Sequence, residues 1–220
     1  MIYSLKELTQ YQTLVFDCDG VVLNSNKIKT QAFYDVTKHF GHEAAQALVD
    51  YHVQNGGISR YAKIEYFITE ILKQDFDASI YYEILQHFAQ AVKDGLMTCG
   101  VAEGLEELRE KTAHANWLII SGGDQAELRE VFTARGLDKY FNSGVFGSPD
   151  TKDIILAREV GNQNIHRDAL FLGDSKYDYQ AAYKAGLDFV LLTQWTEVKE
   201  HLAWCHSEDI ASIFNLKVLT

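Results

Sequence analysis

The sequence predicts an α/β protein built on a doubly wound parallel sheet, with a helical domain inserted after its first strand. Short apolar runs alternate with helical segments through the second half of the chain. Each run stops at an acidic, hydroxyl or glycine residue, as buried strands do where they leave a sheet. Residues 28–96 break the alternation, because they offer helical stripes and no convincing strand.

The strand candidates are residues 13–16, 117–120, 169–172 and 189–192. Helical segments follow at 125–135, 152–160 and 177–185, and Gly136, Gly161 and Gly186 stand as their stop signals. Within the insertion, Ile28, Ala32 and Val36 form one apolar stripe, and Ile84, Leu85, Phe88, Ala91 and Val92 form another. A turn is expected at Asn55, Gly56 and Gly57, and hinges at residues 23–27 and 98–103. The expected division is a core of residues 1–23 and 99–220 and a helical domain of residues 24–98. Trp195, Trp204 and Phe214 mark a carboxyl-terminal region read as helices closing the sheet and as a candidate dimer contact.

Composition narrows the function classes. With 47% hydrophobic residues in 220, the chain has material for a real core. A formal charge of -11 without a basic patch opposes nucleic acid and anionic lipid. No apolar run approaches the roughly 18 residues of a membrane span, and the polar first dozen residues do not resemble a secretory signal. Cys18, Cys99 and Cys205 are far apart and odd in number, which fits a reducing, cytoplasmic location. The eight histidines show only the near-helical groups His39 with His42 and His201 with Cys205 and His206, without a third ligand, so zinc is not expected.

Chemistry concentrates where strands end. Asp17 and Asp19 follow the first strand two residues apart, a spacing that puts both carboxylates on one face of extended backbone. Asp174 and Asp178 follow the run at 169–172. Four converging acids repel one another, and a hard divalent cation, Mg2+, resolves that where phosphate is also bound. Ser121, Gly122 and Gly123 supply a hydroxyl and open backbone N–H groups ahead of a helix, a turn suited to phosphate oxygens. Lys152 opens another helix, the disfavoured end for a cation, which points to use of its charge on the nucleophile and phosphoryl group.

Taken in order, Asp17-x-Asp19-Gly20-Val21, Ser121, Lys152 and Gly173-Asp174-x-x-x-Asp178 resemble the four motifs of the haloacid dehalogenase (HAD) superfamily. The layout is similar to its phosphoglycolate phosphatase and beta-phosphoglucomutase branch, with residues 24–98 resembling the cap domain on a Rossmann-like core. The resemblance implies a phosphatase acting on a small phosphorylated metabolite, a sugar phosphate or phosphoglycolate, through an aspartyl phosphate. Asp17 would be the nucleophile and Asp19 the acid/base. Magnesium would be held by Asp17, Asp19 through its carbonyl, and Asp174, with Asp178 a ligand through water or an orienting group. Ser121, Gly122 and Lys152 would bind phosphate.

Gly57-Ile58-Ser59-Arg60 is similar to the cap loop that grips a second phosphate in beta-phosphoglucomutase, which makes Arg60 the specificity candidate. Lys29 aligns with that enzyme's hinge histidine and is a second candidate. Both Arg60 and Lys63 lie at a helix start, where solvated charge is the ordinary outcome. A phosphomutase is the enzymatic alternative; a receiver-type or catalytically silent phosphate-binding domain is the non-enzymatic one. Asp19 speaks against dehalogenation, and the insertion against a receiver domain. A monomer and a homodimer are both compatible with the sequence.

Overall fold

The computed structural model describes residues 6–220. Residues 1–5, part of the expected core segment and of the polar opening, lie outside the described residues. In chain order, β1 (Thr13–Phe16) leads into four helices, α1 (Asn26–Thr37), α2 (His42–Gln54), α3 (Arg60–Tyr66) and α4 (Ala78–Thr98). The alternating part then runs α5 (Leu105–Lys111), β2 (Asn116–Asp124), α6 (Gln125–Ala134), β3 (Val145–Ser148), α7 (Lys152–Gly161), β4 (Ala169–Gly173), α8 (Lys176–Ala185) and β5 (Asp188–Leu192). Helix α9 (His201–Ser207) and strand β6 (Ala211–Ile213) complete the chain's larger elements.

The strands form one parallel sheet in the order β3-β2-β1-β4-β5-β6. From β1 the chain winds outward through β2 and β3, then returns to β4 and winds the other way. The connections above the carboxyl ends of β1 and β4 therefore diverge and leave a crevice, which is where ligands bind in sheets of this kind. Phe16 pairs with Ile119 on one side and Leu172 on the other, so Asp17 emerges at the centre of that crevice.

Both sheet faces are buried, which is why the strands read as unbroken apolar runs. Leu14, Phe16, Trp117, Ile119, Leu170 and Leu172 pack into one core, whereas Val15, Leu118, Ile120 and Phe171 pack into the other. The first core is knitted by aromatic contacts: Phe16 lies 4.5 Å from Trp117 and 5.6 Å from Phe141, centroid to centroid. Trp117 also donates from Nε1 to Thr112 Oγ1 at 3.0 Å, so its one polar atom is satisfied in the interior. That core continues without a break into the helical insertion through Phe33, Leu48, Ile64, Phe67 and Phe88.

Several expectations need correction. Strands β3 and β6 escape the apolar-run criterion, since β3 is four residues ending in Gly147 and Ser148 and β6 only three. Pairing with β2 and β5 defines them, not their own periodicity. The carboxyl-terminal region is thus a helix plus an edge strand rather than helices alone. Helix α7 runs through Gly161, and the turn after it passes through Gln163 at φ 60°. Ala91 is exposed, and the buried stripe of α4 continues instead through Val92 to Leu96. Among the described residues no helix is long and apolar enough to cross a membrane.

The sealed position of Trp117 yields a stability prediction. Trp117→Ala should lower the unfolding free energy by about 3–5 kcal/mol, from lost burial and a residual cavity. Urea unfolding followed by circular dichroism reads this directly, and a loss under about 1 kcal/mol would show that the site collapses around the missing ring.

Candidate active site

Each expected motif sits at a carboxyl end of the sheet or at the start of the helix beyond it. Asp17 follows β1 with its backbone N–H bonded to the Leu172 carbonyl of β4 at 2.9 Å. Its Oδ1 accepts the Cys18 N–H at 2.7 Å and lies 3.0 Å from Lys152 Nζ. The chain then turns at Gly20, whose φ of +75° belongs to the left-handed region. A Cβ there would fall 2.0 Å from Asp174 Oδ2, so the turn needs glycine for space as well as for conformation.

Asp17, Asp174 and Asp178 bring carboxylate oxygens within 4.8 Å of one another, and all three are buried. Their roles are not equivalent. Asp178 is the N3 residue of α8 in a capping box with Ser175. One of its oxygens accepts from Ser175 Oγ at 2.7 Å and from the N–H groups of Ser175 and Asp174; the other pairs with Lys152. Asp178 therefore has its acceptor positions engaged by protein donors. Asp174 accepts from Asn26 Nδ2 at 2.6 Å, and that amide also donates to the Trp195 carbonyl at 2.9 Å.

The charge balance explains the titration behaviour. Burial pushes the Asp17 carboxyl up to about 7, and it outweighs the opposing pull of Lys152. Burial, with Asp17 and Asp178 nearby, also drives Asp174 well above the carboxylate range. Lys152, fully enclosed between Asp17 and Asp178, is held far above an ordinary lysine: burial opposes its charge, but the two carboxylates outweigh it. One ammonium for three buried acids leaves unmet negative charge facing a set of hard oxygen donors. That donor set fits a small divalent cation.

Asp19 is controlled differently. Burial would raise its pKa, yet Lys29 Nζ at 2.5 Å and Ser25 Oγ at 2.5 Å hold it below the usual range. Lys29 comes from α1, so a helix of the insertion reaches the residue beside the crevice. At the end of β2, Ser121 is wholly buried and its Oγ accepts the Gly123 N–H at 3.0 Å. Gly122 allows the insertion to close over it, since a Cβ there would sit 2.2 Å from the Gly57 carbonyl oxygen.

Arg60 and Lys63 depart from the expectation of a solvated helix start, for both are buried. Arg60 makes a two-pronged ion pair with Glu127 of α6, Nη1 to Oε1 at 2.9 Å and Nη2 to Oε2 at 2.6 Å, and packs over the Phe88 ring. Next to it Tyr61 donates to Asp124 at 2.7 Å. Asp17, Asp19, Lys29, Arg60, Gly122 and Asp174 all line one cavity of about 60 Å3, to which Asn26, His52, Lys63 and Glu197 also contribute. Those last residues, and Glu127, carry no motif; their participation arises from helix packing alone. Asn26, the first residue of α1 after the first acidic motif, was the nearest to a readable signal.

The family model for haloacid dehalogenase-like hydrolases matches residues 14–192, from β1 to the end of β5. A phosphorylated carbohydrates phosphatase of Thermotoga maritima is 24% identical over 187 residues, covering 80% of this chain and 82% of its own. A beta-phosphoglucomutase from Clostridium difficile superposes with a TM-score of 0.71 at 14% identity, covering 96% of this chain and 93% of that one. A Haemophilus somnus protein described as a predicted phosphoglycolate phosphatase superposes with a TM-score of 0.64 at 18% identity, covering 84% and 86%.

The raised proton affinity of Asp17 has a measurable consequence in chelator. Between the unfolded value of 3.8 and about 7 the folded state keeps a proton that the unfolded chain has lost, so stability drains away as pH rises through that window. An amide bears no such cost. Asp17→Asn should therefore gain stability over the parent protein as pH rises from about 4 to about 7, and hold that gain above it. Thermal unfolding of both proteins across this range checks it; a difference independent of pH would contradict the assignment.

Proposed function

This chain belongs to the haloacid dehalogenase-like hydrolase family, and from that premise we propose that it is a magnesium-dependent phosphatase of small phosphate monoesters. The observation that supports this reading most is the placement of Asp17 at the β1/β4 crevice, with Lys152 on one of its oxygens and Asp174 beside it.

In this reading Asp17 attacks phosphorus in line and carries the phosphoryl group as an aspartyl phosphate, which water then cleaves. Lys152 offsets the charge shared between the nucleophile and the phosphoryl oxygens, while Asp178 and Ser175 keep its ammonium directed at Asp17. Ser121 and the Gly122 N–H bind phosphoryl oxygens. Asp19 delivers a proton to the leaving oxygen, its proton affinity raised by the arriving dianion. It then takes a proton from the attacking water, and the Lys29 and Ser25 contacts suit that step because they favour its carboxylate form.

Asp17, Asp174 and the Asp19 carbonyl are the groups that would hold the cation. Bound there, magnesium supplies charge neutralisation for the carboxylates and the phosphoryl oxygens. Asp178 serves the site through Lys152, because its own oxygens already have donors. Residues 24–98 act as a cap, with Arg60 and Glu127 fastening it to α6 and the cavity beneath receiving the leaving group.

Phosphate release from a panel of small phosphate esters tests this reading. Release should require magnesium, stop in chelator and fall by about a thousandfold or more in Asp17→Asn. Undiminished release by that variant would remove Asp17 as the nucleophile.

A further inference from the structure

Within the cavity wall lies a pair of groups that the phosphoryl chemistry does not use. Lys63 of α3 is 1% exposed, and among the described residues its Nζ has no carboxylate in ion-pair contact. The nearby acids act on it only from beyond contact: Asp19 is paired with Lys29 and Ser25, and Glu197 accepts from Thr30. What Lys63 does meet is His52 Nδ1 of α2, at 2.8 Å. An ammonium only donates, so Nδ1 accepts and the neutral ring carries its proton on Nε2. That Nε2 is buried and without a hydrogen-bond partner among the described residues. A cation without a contacting carboxylate and an unpaired N–H donor thus sit side by side, and burying either in that state is costly.

The surroundings restrict what can satisfy them. The pair lines the same cavity as Asp17 and Asp19, and Phe33 and Phe88 line it too. Phe33 packs against the His52 ring at 4.7 Å and Phe88 lies 4.2 Å from Phe33, so this wall of the pocket is apolar. Arg60 is spent on Glu127 and Lys29 on Asp19, which leaves the Lys63 ammonium and the His52 N–H as the free donors for an incoming anion, with Glu197 the other charged group of that wall. This matches a single negative charge better than the two of a second phosphate. A cavity of about 60 Å3 favours a short leaving group over a bulky one. Burial and the nearby Lys29 charge push Lys63 down to about 7, against the opposing pull of Asp19 and Glu197.

We infer that Lys63 and His52 form a carboxylate subsite, so that the preferred substrate is a short phosphate monoester whose leaving group carries a carboxylate. This rests on the phosphatase reading for its reaction, but the subsite itself is a statement about binding and is testable without turnover.

Three two-carbon probes serve: 2-phosphoglycolate, 2-hydroxyethyl phosphate and ethylene glycol bisphosphate. Calorimetric binding to the Asp17→Asn protein in magnesium should favour 2-phosphoglycolate over the hydroxyl analogue by about 10- to 100-fold, the worth of a charge-assisted hydrogen bond. Adding Lys63→Met should collapse that ratio to near unity, and His52→Phe should reduce it in part. Lys63→Met should not lower the thermal midpoint, because it removes a buried cation without a carboxylate partner. A lowered midpoint with equal loss for every probe would make Lys63 structural and overturn the inference. Equal binding of the first two probes, or tightest binding of the bisphosphate, would also overturn it. Selective binding without any hydrolysis by the parent protein would uphold the subsite and remove the phosphatase reading instead.

Discussion

A single buried ammonium governs the centre of this molecule. Lys152 lies between Asp17 and Asp178 at the first turn of α7, where the helix dipole disfavours it. Removing it would leave two carboxylates uncompensated in the interior, so sequence and fold around it are constrained together. Asp178 is fixed by the capping box of α8, which in turn orients Lys152, which faces Asp17 at the end of β1. β1, α7 and α8 are thereby tied to one charge. The tie is incomplete, because burial still leaves Asp17 and Asp174 with raised proton affinities.

The insertion meets this centre through polar links. Lys29 and Ser25 reach Asp19, Asn26 reaches Asp174, Thr30 reaches Glu197, and Arg60 with Tyr61 reaches Glu127 and Asp124. Gly57 meets Gly122 closely enough that neither a larger residue nor a bound water layer separates the loop from the end of β2. Behind these links, the apolar stripe of α1, α3 and α4 merges with the core under the sheet. Polar contacts at the rim and apolar packing behind it let the same helices shape the pocket and keep their own fold.

Much of this was legible beforehand because strand ends in a doubly wound sheet are where chemistry accumulates. Asp17, Asp19, Lys152, Asp174 and Asp178 each follow a strand or lie in the first turn of a helix, and the structure brings them together, with Ser121 in the last part of β2 beside Gly122 of the same cavity. Strands β3 and β6 were not legible, since three or four residues with glycine or serine carry no periodic signal of their own. Arg60 and Lys63 misled for another reason. A charged helix start is usually wet, and nothing local reveals that α6 supplies Glu127 or that α2 supplies His52.

The sequence by itself determined the alternating architecture, the all-helical insertion and the identity of the acidic, serine–glycine and lysine motifs at the strand ends, because those depend on periodicity and on short spacings along one chain. Only the tertiary structure decided how charge is shared: that Asp178 serves Lys152, that Lys29 governs Asp19, that Arg60 is neutralised, and that Lys63 has no carboxylate in contact among the described residues. Partnership between charges is set by distance and burial in space, and helices packed from distant segments create both without leaving a pattern in the sequence.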